Sequence, residues 1–130
     1  MPPVNFLAVI AAALSSFLLG GVWYSALFQK AWMREVNAGA EPKGGNMPMI
    51  FGLSFVLSLA ASFVFAMFLG PEADWKFGAA VGFAAGAGWV ATSFGTNYLF
   101  ARRSLRLWLI DGGYVTVQFT LIGLILGLWH

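Results

Sequence analysis

Twelve charged residues gathered into four groups leave four long apolar stretches, and that spacing decides what this chain can fold into. Lys30, Arg34, Glu35, Glu41 and Lys43 form the first group, and Glu72, Asp74 and Lys76 the second. Arg102, Arg103 and Arg106 form the third, and Asp111 stands alone. The apolar stretches run over about 4–28, 47–69, 77–101 and 107–129. A bilayer core about 30 Å thick takes roughly 20 residues of helix, so each stretch is long enough to cross one. Backbone groups in lipid must bond within the segment, and no apolar-polar alternation marks strands. The expectation is an all-α fold, an integral membrane four-helix bundle, with residues 1–130 forming one transmembrane domain.

Composition narrows the chemistry. Of 130 residues, 60% are hydrophobic and 9% charged, against about 25% charged in an ordinary soluble domain. A water-soluble enzyme and a disordered chain are both excluded. There is no cysteine, and the one histidine, His130, is the last residue. Disulfides, thiolate metal sites and a Ser-His-Asp triad therefore lack their material. Gly86-Ala87-Gly88 lies in mid-span, where a phosphate loop has no place. No catalytic residue, metal site, cofactor or nucleic-acid partner is expected.

Orientation follows from the short loops. The first and third loops carry six of the seven Lys and Arg residues, and the second carries Lys76 alone. The excess predicts that both termini lie outside and the arginine-rich turns inside. Arg102, Arg103 and Arg106 are thus topological anchors that can also meet anionic lipid head groups. Ala11-Ala12-Ala13 resembles a cleavage site, but the stretch lacks a basic leader and is too long for a signal core, so a retained helix is expected. Lys30 to Glu35 reads as a continuation of the first helix into the interface, with Trp32 at head-group depth.

Small residues recur at every fourth position: Ala8, Ala12, Ser16 and Gly20, then Ser54, Ser58 and Ser62, then Gly78, Gly82 and Gly86, then Gly123 and Gly127. Such stripes let helix backbones approach in lipid. Packing within one bundle is the main expectation, and a subunit interface at Gly78–Gly86, giving a homodimer, is the sharper one. A short echo, Gly21-x-x-Tyr24 against Gly95-x-x-Tyr98, fits two hairpins of like orientation, though two residues do not establish a repeat.

Asp111 is the ionisable residue well inside a span. Five residues separate it from Arg106, about 7–8 Å along a helix. Asn97 reaches a similar depth before Arg102, so the two are expected side by side. Asp111, Tyr114 and Gln118 share a helix face at i, i+3 and i+7. Tyr24 lies at comparable depth on the first helix. A buried charge is costly, which makes this cluster a candidate ion or solute site. The structural alternative is an arginine from the nearby turn seated on Asp111, pinning the third and fourth helices.

Several segments also resemble a known family. Gly21-Val22-Trp23-Tyr24-Ser25 with Lys30-Ala31-Trp32-Met33, Thr96-Asn97-Tyr98-Leu99-Phe100 before Arg102-Arg103, Leu109-Ile110-Asp111-Gly112-Gly113-Tyr114 and the closing Gly123 to Trp129 carry the likeness. They resemble the small bacterial four-span membrane proteins of domain-of-unknown-function family 1761. The resemblance implies the same four-helix architecture and a bacterial cytoplasmic membrane, and supplies no activity. Members often have an acidic residue before the paired arginines and a proline after them, where this chain has Ala101 and Ser104, and many have asparagine in place of Asp111. The functional expectation is a small transporter or channel for an ion or solute. Its rival is a scaffold or accessory subunit that binds a partner through small-residue faces.

Overall fold

The computed structural model describes residues 4–27, 30–31, 47–70 and 72–129. Four helices are long and apolar enough to cross a membrane: Phe6–Tyr24, Pro48–Leu69, Trp75–Phe100 and Leu105–Leu128. Among the described residues there is no strand. The first span is α1 (Phe6–Gly21) continued by a π-helical turn over Val22–Leu27, and the second is α2 (Met47–Leu69). The third is α3 (Trp75–Ala85), a π-helical turn over Gly86–Val90, and α4 (Ala91–Phe100). The fourth, α5 (Leu105–Leu128), is regular throughout. Lys30 and Ala31 are helical, as expected of the interfacial extension, and its remainder lies outside the described residues.

Polar side chains set the helix starts. Asn5 Oδ1 accepts from the amides of Leu7 and Ala8 at 3.1 and 3.2 Å. Asp74 accepts from Phe77 N at 2.8 Å, and Ser104 from Leu107 N at 3.0 Å. Each cap satisfies amides that have no partner within the helix. The third and fourth spans accordingly begin at Trp75 and Leu105, two residues before the apolar runs that mark them in sequence.

The turn between these spans is very short. Arg103 N donates to Tyr98 O at 2.8 Å and Arg102 N to Leu99 O at 3.2 Å, the paired bonds of a Schellman cap. Arg102 takes the left-handed position of that cap, with φ of 59°, where glycine is usual. Ser104 then caps the next helix directly.

The fourth span is the hub: 39% of its apolar window is buried, against 11% for the second span. Against the third span it forms a seam of glycines. A methyl group at Gly82 would collide with the carbonyl oxygen of Phe119, and one at Gly78 with that of Gly123. Gly86 packs on Val115 and Thr116, and Gly127 on Asp74 and Trp75. Gly78, Gly82, Gly86, Gly123 and Gly127 are all buried inside one chain, so these glycines pack within one bundle, and Gly78–Gly86 meets the chain's own fourth span where the alternative expectation had a second subunit. On the other side, Ala8, Val9 and Ala12 meet Phe65, Ile122 and Leu126 in an apolar core of the first, second and fourth spans.

Candidate functional site

Asp111 sits on α5 six residues after its start, about 9 Å into the helix at 1.5 Å per residue. It is 7% exposed. Both carboxylate oxygens are taken by tyrosine hydroxyls from other spans. Tyr24 Oη donates to Oδ1 at 2.6 Å, and Tyr98 Oη donates to Oδ2 at 2.5 Å. Three of the four spans therefore meet at one carboxyl group.

The π turns explain why these tyrosines arrive there. A helix turns about 100° per residue, and a π turn accommodates an extra residue in one turn. Downstream of Gly86–Val90 the third span is set back by one position, so Tyr98 takes the bearing that Asn97 would hold in an unbroken α-helix. Tyr24 lies inside the π turn of the first span. The helix that carries Asp111 has no such irregularity.

A second layer holds the ring of residues in place. The Tyr24 ring packs on Tyr114 with centroids 5.3 Å apart, and Tyr114 Oη donates to the Ser16 carbonyl at 2.9 Å. Trp23 Nε1 donates to the Ile110 carbonyl at 3.0 Å, and Trp108 Nε1 to the Ala91 carbonyl at 2.8 Å. Gly112 and Gly113 make room for the two indoles: a Cβ at Gly113 would lie 3.0 Å from Trp23, and one at Gly112 3.6 Å from Trp108.

Of the five residues expected to form the site, Asp111 and Tyr24 are directly bonded, and Tyr114 contacts Tyr24. Asn97 is exposed, and Gln118 is half-buried. Neither side chain is bonded to Asp111, whose two oxygens are accounted for by Tyr24 and Tyr98. The arginine alternative is corrected in the same way: among the described residues Asp111 is held by neutral hydroxyls, without an ion pair to Arg102, Arg103 or Arg106. Those arginines are exposed at the turn. Tyr98, Trp23 and Trp108 also contribute: Trp108 lies three residues before Asp111 on the same regular helix, whereas Trp23 and Tyr98 come from the spans that contain π turns. The signal that could have found Tyr98 is the echo itself, since Tyr24 and Tyr98 are its two tyrosines.

Among the described residues, cavities open at this end. One, of about 260 Å³, is lined by Tyr98, Arg103, Ser104, Trp108 and neighbouring apolar residues. The other, of about 410 Å³, is lined by Ala31, Arg106, Leu109 and Ile110. Toward the opposite end the glycine seam brings the third and fourth spans into backbone contact.

The model of one protein family, described as protein of unknown function (DUF1761), matches residues 7–127. The chain belongs to this family. The match embraces every residue of the Asp111 site and nearly all of the four spans, and the family's description assigns it no activity. No curated protein and no solved structure matches the chain.

Proposed function

We propose that this protein is a carrier for an ion or small polar solute, with Asp111 as the group that changes partners. The observation that supports the reading is a buried carboxylate held by two neutral hydroxyls on two other spans rather than by a cation. An acid placed so can trade its hydroxyl donors for a proton or a ligand without breaking an ion pair, which a permanently paired carboxylate resists. The tight seam beyond it favours a carrier over an open channel. In this reading the membrane is the bacterial cytoplasmic one, and the side bearing six of seven Lys and Arg residues faces the cell interior. A homodimer built on the sparsely buried second span completes it.

The second reading is a scaffold or accessory subunit, and the same second span favours it: Phe68 is 87% exposed on a helix that packs little within the chain. Proton movement into sealed proteoliposomes, followed with an entrapped pH-sensitive dye, separates the two. Flux by the wild type that Asp111→Asn abolishes supports the carrier. Equal leak in both proteins supports the scaffold.

A further inference from the structure

We infer that the outward face of the third span over residues 88–97 is an interface with a second copy of this chain, in which the Asn97 amides of the two copies hydrogen-bond across a two-fold axis. The contact gives a seam to the homodimer of the proposed function, and it rests on that dimer rather than on transport.

The third span carries two faces built of small residues. One, Gly78, Gly82 and Gly86, is buried against the fourth span. The other runs over Gly88, Thr92 and Thr96, four residues apart and all exposed. A methyl group at Gly88 would meet nothing within 4 Å. The π turn over Gly86–Val90 holds the last glycine of the first face and the glycine that begins the second. Small residues let helix backbones approach in lipid, and the described chain leaves this second face open.

Beside it stands a second exposed row, Trp89, Ser93 and Asn97. The hydroxyls of both rows donate to their own helix. Thr92 Oγ1 donates to the Gly88 carbonyl at 2.7 Å, Ser93 Oγ to that of Trp89 at 2.7 Å, and Thr96 Oγ1 to that of Thr92 at 3.2 Å. With those protons committed, each hydroxyl offers only lone pairs outward. Asn97 differs. Among the described residues its side-chain amide has no hydrogen-bond partner. It lies five residues before Arg102, about 7–8 Å along the helix. Polar groups inside a span ordinarily find partners on another helix.

The donor count selects the occupant. The face offers acceptors at three hydroxyl oxygens and at Asn97 Oδ1, and its side-chain N–H donors are those of the Asn97 amide. The six-to-one excess of Lys and Arg predicts that all copies insert the same way round. Copies so inserted are related by an axis along the membrane normal. A two-fold contact is isologous, so residues of equal depth meet and Asn97 faces Asn97. An amide pairs with its own kind, donor to acceptor, so the partial charges of the face complement themselves. Trp89 also lines the cleft of about 700 Å³ whose other wall is the second span. A copy seated on this face therefore reaches the sparsely buried second span as well.

The chain has no cysteine, so single cysteines report contacts in the full protein. Ser93→Cys and Thr96→Cys, oxidised in reconstituted vesicles, should each give a disulfide-linked dimer. Leu18→Cys, on an exposed position of the first span, should not. Association in lipid, followed by energy transfer between labelled copies, should weaken roughly tenfold in Asn97→Leu, the loss of a hydrogen bond between helices. Asn97→Gln keeps the amide and should stay near the wild-type value. Charge gives the sharpest contrast. Asn97→Asp and Asn97→Lys should each fail to associate alone, because like charges meet at the axis, and should pair when mixed.

A dimer that cross-links only through Val56→Cys on the second span and ignores Asn97→Leu overturns the inference while leaving a homodimer. Charged variants that associate alone, or fail to pair when mixed, overturn the contact of like with like. Cross-linking of Ser93→Cys to a different protein in cell membranes, in place of a second copy, also overturns it. A monomer in every lipid removes this interface and the homodimer together. Proton flux, present or absent, bears on the carrier alone.

Discussion

Tyr98 donates its hydroxyl to Oδ2 of Asp111 at 2.5 Å, across the turn that joins the third and fourth spans. Thirteen residues of sequence separate the two, and the bond closes the hairpin just inside its arginine-rich end. Tyr24 makes the matching bond to Oδ1 from the first span. Among the described residues these hydrogen bonds between helices gather toward one end, around one acid, and glycine contacts and an apolar core mark the other.

Removal of either hydroxyl should be measurable. Tyr24→Phe is expected to lower stability by about 1.5–3 kcal/mol, the range for hydrogen bonds to a charged group. Tyr98→Phe should cost less, about 0.5–1.5 kcal/mol, because it borders a cavity. Unfolding in mixed micelles checks both. The double variant should cost less than the sum when the Asp111→Asn change is already present, since both bonds end on that residue.

The glycine seam gives a sharper contrast. Gly82→Ala drives a methyl group into the Phe119 carbonyl, and overpacking of this kind costs typically 1–3 kcal/mol. Gly52→Ala meets nothing within 4 Å and should be stabilising by up to about 1 kcal/mol through helix propensity. Thermal midpoints of the two variants should move in opposite directions.

Arg102 occupies a left-handed backbone position. For a residue with a side chain this costs roughly 1–2 kcal/mol relative to a right-handed one, and glycine is free of the penalty. Arg102→Gly should therefore raise the unfolding midpoint, while Arg102→Val should lower it. Labelling of engineered cysteines should show the inserted orientation unchanged, because the remaining Lys and Arg residues still favour one side five to one.

Deletion of Gly88 tests the π turn. Loss of one residue allows the third span to become a regular helix while everything beyond it keeps its bearing, so Tyr98 still faces Asp111. In that background Tyr98→Phe and Tyr24→Phe should each keep their full cost. A Tyr98→Phe cost that disappears after the deletion would show that the π turn is not one accommodated extra residue.

The same π turn explains what could be read from the sequence and what could not. Span lengths follow from the intervals between charges, and the observed helices depart from them where Asp74 and Ser104 cap the chain two residues early. The i, i+4 glycines mark a packing face because that face is a property of a regular helix. Asp111 and Tyr24 were visible as polar groups at like depth. Asn97 matches Asp111 in depth, but depth does not fix bearing, and the extra residue at Gly86–Val90 gives Tyr98 the bearing that Asn97 would hold on uniform turns. Arginine proximity misled for another reason. Sequence distance to Arg106 measures height along the helix, and says nothing of tyrosines that reach Asp111 from two other spans.

The account depends on Asp111 being able to exchange its tyrosine hydroxyls for another partner. Infrared difference spectroscopy of the reconstituted protein, recorded as small ions and polar solutes are added at constant pH, addresses that directly. The expected spectrum shows a shifted carboxylate band, with tyrosine bands shifting in step. All of these changes should vanish in Asp111→Asn, and part of the tyrosine signal should vanish in Tyr98→Phe. A spectrum with no Asp111-dependent band on addition of any solute that the protein moves across the membrane would contradict the account.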